Sequence, residues 1–191
     1  RTGEDRFKIR QFSSRSWGPY SLSYNSIYTI FQDSKNRIWV GCYGGGLNLI
    51  EETQEGDIRF LHSGNKLTGY SKDRFAKVRY IAEANQVLLV VTTEGLLTFS
   101  SEFTQPEQIE FYRNIRIPDK VSSLCSNDVI YIYTDSRKDT YVLSFTGGLN
   151  KILSENLLSN EIEFKTYTTQ NGLPSDLVES MIEDNKGNLW I

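Results

Sequence analysis

The chain has 191 residues, with 21 Lys and Arg against 24 Asp and Glu, a net charge of -3. That balance lacks the basic footprint of a nucleic-acid binder, and no stretch approaches the roughly 18 apolar residues that a membrane helix requires. Aromatic residues number 24, but only Ala76, Ala82 and Ala84 are alanine. Aromatic and β-branched side chains suit pleated sheets, and a helical domain is rarely so short of its best helix former, so helix bundles and doubly wound α/β folds are disfavoured.

The chain begins without Met and shows no charged segment followed by an apolar run. Its last residue, Ile191, falls in a strand-like pattern, so it reads as a piece of a longer protein. Cys42 and Cys125 lack metal or redox spacing and lie in or beside apolar runs, so both are expected as free thiols.

An internal repeat organises what lies between the ends. Asp33-Ser34-Lys35-Asn36-Arg37-Ile38-Trp39 matches Asp184-Asn185-Lys186-Gly187-Asn188-Leu189-Trp190, 151 residues later. Asp135 and Tyr141 keep the same spacing, and Ala84 and Val90 fall where the remaining member belongs. The series Trp39, Val90, Tyr141, Trp190 therefore steps by 51, 51 and 49 residues. Ile27, Val78, Val129 and Val178 stand six residues before each Asp position.

In chain order, Phe7–Phe12 reads as an outer strand, and three units of four short strands follow. In each unit the aromatic position is followed by a glycine turn with leucine, at Gly44-Gly45-Gly46-Leu47, Gly95-Leu96 and Gly147-Gly148-Leu149. Fourth strands are expected at Ile58–Phe60, Ile109–Tyr112 and Ile162–Phe164. Leu177, Val178, Met181 and Ile182 have helical spacing, but their register partners Val129–Thr134 are plainly a strand, so a strand is expected there too. Four strands per 40–50 residues predict an all-β fold, a β-propeller fragment of about three blades plus part of a fourth. The expected division is residues 1–26 as outer strand and loop, then blades at 27–62, 78–112 and 129–167, and the start of another at 178–191.

The run from Asn171-Gly172-Leu173-Pro174 to Lys186-Gly187-Asn188-Leu189-Trp190-Ile191 closely resembles the two-component regulator propeller repeat, and Asp33 to Leu47 resembles its second half. The resemblance implies a periplasmic sensor region of a hybrid two-component system, anchored in the inner membrane. There, recognition of an oligosaccharide would reach a histidine kinase and its phosphorelay elsewhere in the protein. The second unit departs from the motif, lacking both Asp and Trp, and the third has Tyr141 for Trp.

The motif residues Asp33, Trp39, Gly46, Asp135, Tyr141, Gly148, Asp184 and Trp190 are read as structural. Asp at the head of a tight turn bonds nearby backbone amides, while Asn or Gly tolerates left-handed backbone. A calcium loop is disfavoured because Arg37 and Lys186 sit amid the would-be ligands. Catalysis finds little support. His62 is the only histidine, which excludes a metal site built on several. No Gly-x-Ser-x-Gly elbow is present, and the adjacent pairs Glu51-Glu52 and Glu183-Asp184 would point to opposite faces of a strand. No catalytic residue, metal or cofactor is assigned.

Long loops on one face of a rigid scaffold commonly hold the binding site. Here the loops before each first strand and the turns between second and third strands are expected to share one rim. Arg15, Trp17, Tyr20, Tyr43, Tyr70, Arg74 and Arg113 lie in them and could stack on sugar rings and bond hydroxyls. These seven are the candidate ligand-binding residues. Expected partners are an oligosaccharide or other small ligand, further blades of the same protein and a second copy of the chain, with neither nucleic acid nor membrane contacted by this segment. The rival readings are a propeller lyase acting on a glycan or cyclic peptide, and a propeller used only for protein docking.

Overall fold

A computed structural model describes residues 9–14 and 18–191. Three antiparallel meanders dominate it, each with its strands hydrogen-bonded in chain order. The first holds β1 (Ile27–Gln32), β2 (Ile38–Cys42), β3 (Gly46–Glu52) and β4 (Ile58–Leu61). The second holds β5 (Val78–Ala84), β6 (Val87–Thr92), β7 (Gly95–Ser100) and β8 (Tyr112–Asn114). The third holds β9 (Val129–Thr134), β10 (Thr140–Ser144), β11 (Leu149–Ile152) and β12 (Phe164–Tyr167), and β13 (Ile182–Glu183) pairs with β14 (Leu189–Trp190). Among the described residues helix is confined to two 3-10 turns, Pro106–Gln108 and Thr169–Asn171. The chain is a β-propeller fragment of three four-stranded blades and the opening hairpin of another.

Blade faces pack against blade faces. Trp39, Leu47 and Leu49 of the first sheet meet Val78, Ile81, Leu88, Val90 and Phe99 of the second. Leu89, Val91 and Leu96 on its other face meet Val129, Ile132 and Val142 of the third. Tyr141, Leu143 and Leu149 then meet Val178 and Met181. The Trp39 ring meets Phe99 edge-on at 5.1 Å and Phe103 at 6.1 Å. Outward faces at the two ends differ sharply: Ile30 is 65% exposed where its register equivalents Ile81 and Ile132 are 1% and 3%, and Trp190 is 62% exposed where Trp39 is fully buried.

The register corrects one assignment. Trp39 pairs with Phe31 and Tyr141 with Tyr133, but the second sheet places Leu89, opposite Ala82, in that position. Its first turn is the two-residue Asn85-Gln86, both at positive φ (51° and 63°), and is one residue shorter than its counterparts. The shortening moves the position from Val90 to Leu89 and turns Val90 toward the first sheet instead of the third.

Strand ends also differ from expectation. Pro106 opens a 3-10 turn that carries the chain past Ile109, so the fourth strand begins at Tyr112 instead. Asn114 Oδ1 accepts the Ile162 amide at 2.9 Å, drawing that residue toward the second sheet, and β12 starts only at Phe164. Residues 177–181 are neither helix nor strand: Val178 and Met181 are buried against the third sheet, and pairing begins at Ile182. Residues 9–12 form no strand, and Phe7 lies outside the described residues.

Each Asp turn is closed by one saturated carboxylate. Asp33 Oδ1 accepts the amides of Lys35 (3.0 Å) and Arg37 (2.9 Å), while Oδ2 accepts Trp39 Nε1 (2.8 Å) and Arg37 Nε (2.7 Å). Asp184 repeats this with Lys186, Asn188 and Trp190, and Asp135 with Arg137, Asp139 and, at 3.4 Å, Tyr141 Oη. The third turn residue is left-handed in all three cases (Asn36, Lys138, Gly187). Serine follows in two of them: Ser34 gives its amide and hydroxyl to Glu83, each at 2.6 Å, and Ser136 does the same to Glu183 at 2.7 Å, tying one blade to the next.

Trp39→Ala is expected to destabilise the protein by about 3–5 kcal/mol, as a large core truncation does. Urea unfolding checks it, and a loss under about 1 kcal/mol would show that the ring is not part of the packed interface. Asp33 supplies a pH test. Burial raises its pKa, but the hydrogen bonds from Trp39 and Arg37 and the Arg37 charge outweigh this and hold the carboxyl below its ordinary value. Its contribution to stability is therefore present above about pH 4 and lost as the pH falls through the depressed folded-state value. Asp33→Asn should cost about 1–3 kcal/mol at neutral pH and flatten the acid limb of a stability–pH profile.

Candidate ligand site at the inner mouth of the blades

The first strands of successive sheets are neighbours, β1 beside β5 and β5 beside β9, and form the inner side of the arc. In each of them the ladder skips one residue. The pairing of Ile27 with Cys42 resumes at Thr29, that of Val78 with Thr92 at Tyr80, and that of Val129 with Ser144 at Tyr131. Tyr28, Arg79 and Ile130 are thus left at bulges, which unpair a residue and re-aim its side chain. Glu179, which follows Val178, holds the corresponding place in the last unit. These four residues, with Tyr131 and Phe145, line one concavity of about 370 Å³.

Its walls are held from behind. The Tyr28 ring stacks on Tyr43 at 4.6 Å with 19° between planes, and Lys77 Nζ lies 5.4 Å from the centre of the Tyr43 ring. Arg79 Nη1 is 2.6 Å from Asp128 Oδ1 and donates to the Val129 carbonyl. Tyr131 leans on Tyr80 at 4.4 Å; burial and this neighbour push the Tyr80 phenol up to about 12, so it is neutral at physiological pH. Phe145 is half exposed, and its amide donates to the Asp128 carbonyl at 2.8 Å. Glu179 is exposed and makes no hydrogen bond or ion pair among the described residues.

The concavity opens where the loops before the first strands meet the turns between second and third strands. Tyr43 donates its amide to Ser26, and Gly44 and Gly46 both donate to Ala76 at 2.8 Å. Gly148 repeats the link, donating to Asp176. Its φ is 92°, and a Cβ there would lie 2.0 Å from the Tyr167 carbonyl oxygen, so glycine is required twice over.

The five candidate residues among those described do not form one site. Tyr43 backs the concavity. Tyr70 is a correction: it is 3% exposed, packed edge-on against Phe111, and its hydroxyl donates to the Phe75 carbonyl at 2.6 Å. Burial pushes that phenol up, and the ring is a buried wedge between the first two blades. Tyr20 lies on the flank, where Phe60 donates to its carbonyl and Arg59 covers its ring at 5.1 Å. Arg74 is exposed on the loop before β5, and Arg113 in β8 reaches over Phe75 at 5.4 Å. Arg15 and Trp17 lie outside the described residues. Tyr28, Arg79, Ile130 and Glu179 were missed, although one signal pointed to them: each directly follows a repeat position already noted, Ile27, Val78, Val129 or Val178.

No group of three or more His, Cys, Asp or Glu among the described residues is arranged to hold a metal, and Cys42 and Cys125 are free. Among those residues no helix is long and apolar enough to cross a membrane.

Known proteins place the chain in context. The family described as two component regulator propeller matches residues 21–44, so this chain carries a repeat of that type. Its fold is shared with the extracellular domain of a protein assigned as the hybrid two component system BT3049 from B. thetaiotaomicron (TM-score 0.62, 18% identity, covering 90% of this chain and 21% of that one). Two structures of the extracellular domain of BT4673 from the same organism are also similar. One, described as a one component system, gives TM-score 0.63 and 22% identity over 97% of this chain and 24% of that one. The other, described as a hybrid two component system, gives 0.61 and 23% over 87% and 22%. The chain thus spans between a fifth and a quarter of the length of these domains. A search of curated proteins found no match.

Tyr70→Phe should lower unfolding free energy by about 1 kcal/mol, because the Phe75 carbonyl loses its buried partner. Chemical denaturation measures it, and a change near zero would show that water replaces the hydroxyl.

Proposed function

We propose that this chain is a segment of the ligand-sensing extracytoplasmic region of a two-component regulator. In this reading it binds an oligosaccharide without turning it over. The occupied propeller then signals through a membrane anchor to a histidine kinase in the same protein and on through its phosphorelay. The observation that carries the reading is the stack of consecutive blades with a propeller repeat at 21–44, in a fold shared with extracellular domains of two-component systems. The rim supports it further, since loops from successive blades converge there on a concavity with aromatic walls.

The exposed end faces at Ile30 and Trp190 fit further blades of the same polypeptide, with a second copy of the chain as the other cover. The test is calorimetric titration of the intact extracytoplasmic region with gluco-, xylo- and manno-hexaoses and a galacturonan hexaose, with chromatography of the sugars afterwards. Binding of at least one sugar, recovered uncut, is the expected result. Cleavage would make the protein a lyase or hydrolase, and binding of none would leave a docking role.

A further inference from the structure

The concavity at the inner mouth has the composition of a saccharide subsite and the charge of a neutral one, and we infer that it holds one uncharged sugar residue of the bound chain. The inference rests on the sensor reading above and adds which surface, and which class of glycan, that reading concerns.

Four observations carry it. First, Tyr28, Arg79, Ile130 and Glu179 come from four successive repeat units, yet all reach one space of about 370 Å³, within the range of small-molecule sites. Three of them sit at strand bulges, where an unpaired residue can be aimed inward without breaking the ladder on either side. Second, the lining is mainly aromatic and aliphatic, with few polar groups. Tyr28 is 57% exposed and has one ring face covered by Tyr43, which leaves the other for the C–H face of a sugar ring.

Third, the cation is fixed beforehand. Arg79 is pinned by Asp128 and the Val129 carbonyl, so its remaining N–H groups are oriented donors whose freezing costs a ligand little. Fourth, the charges do not favour an acidic ligand. Asp128 already pairs with Arg79, while the Glu179 carboxylate makes no ion pair among the described residues. A hydroxyl can donate to Glu179, whereas a uronate carboxylate would be repelled by it.

The basic candidates among the described residues do not line it: Arg74 is exposed on the loop before β5, and Arg113 lies over Phe75 with its backbone amide donating to Asn160 Oδ1.

The experiment uses the intact extracytoplasmic region and the four hexaoses named above. Wild type is expected to bind one of the three neutral sugars more tightly than the galacturonan. Tyr28→Ala and Glu179→Gln should each weaken that binding by about tenfold, while Tyr28→Phe, which keeps the ring, retains it and Arg74→Ala changes nothing. Thermal melts identify any variant that has lost its fold, and Tyr28→Phe against Tyr28→Trp then repeats the comparison with the ring varied in size.

If a neutral hexaose binds and the Tyr28 and Glu179 variants bind it within about twofold of wild type, the sugar site lies elsewhere and the sensor reading stands. If galacturonan binds most tightly, the charge argument is overturned. Failure of all four sugars to bind overturns both the subsite and the saccharide reading.

Discussion

The four-stranded sheets in this chain are apolar on both faces, and each face has to be covered, between blades by the next sheet. Everything else follows from that constraint. Trp39 has to point toward Phe99, Leu89 toward Val142 and Tyr141 toward Met181, because burying these side chains between blades is the main source of stability available to short strands. A sheet at either end of the stack has a neighbour on one face only, which is why Ile30 and Trp190 stand exposed where their counterparts inside the stack do not.

Polar groups fix how the sheets are joined. The Asp33, Asp135 and Asp184 carboxylates spend their oxygens on the amides of their own turns and on the aromatic partner two strand residues further on. Buried Asn48 and Asn150 accept the amides of Ser23 and Cys125, fastening the entry loop of their own blade at 3.0 Å each. The second blade has Leu97 at that register, opposite Val90, and Ala84 at the Asp position. Its first turn relies instead on the left-handed pair Asn85-Gln86, which suits a two-residue hairpin. The same blade thus lacks both polar devices, and its β6 is apolar but for Thr92 and buried along its whole length.

The fold was legible because the repeat is strict where packing is strict: Asp, an aliphatic and Trp at fixed spacing, then glycine and leucine. Legibility failed where one residue was missing. A constant step of 51 carries Tyr141 back to Val90, but a turn shortened by one residue leaves Leu89 on the matching face, and a strand's period of two makes that single residue the difference between one neighbour and the other. Tyr70 misled for another reason. Its loop composition resembles a binding surface, and only the tertiary contact with Phe111 and Phe75 shows that the ring is a wedge. The inner concavity could not be read from any one unit, because its residues are chemically unlike and become a group only when the blades stand side by side.

The bulge in each first strand separates two kinds of demand on the chain. A residue on a blade face has to be apolar and of fitting size, or the neighbouring sheet loses its cover. A residue at the bulge answers to neither the ladder nor the face, and Tyr28, Arg79 and Ile130, with Glu179 at the matching place, show an aromatic, a cation, an aliphatic and an anion there. The scaffold therefore carries, once per blade, a slot whose occupant can be exchanged without renegotiating the core. A stack of such blades works like a row of movable type, with the inner surface composed letter by letter while the frame that holds it stays the same.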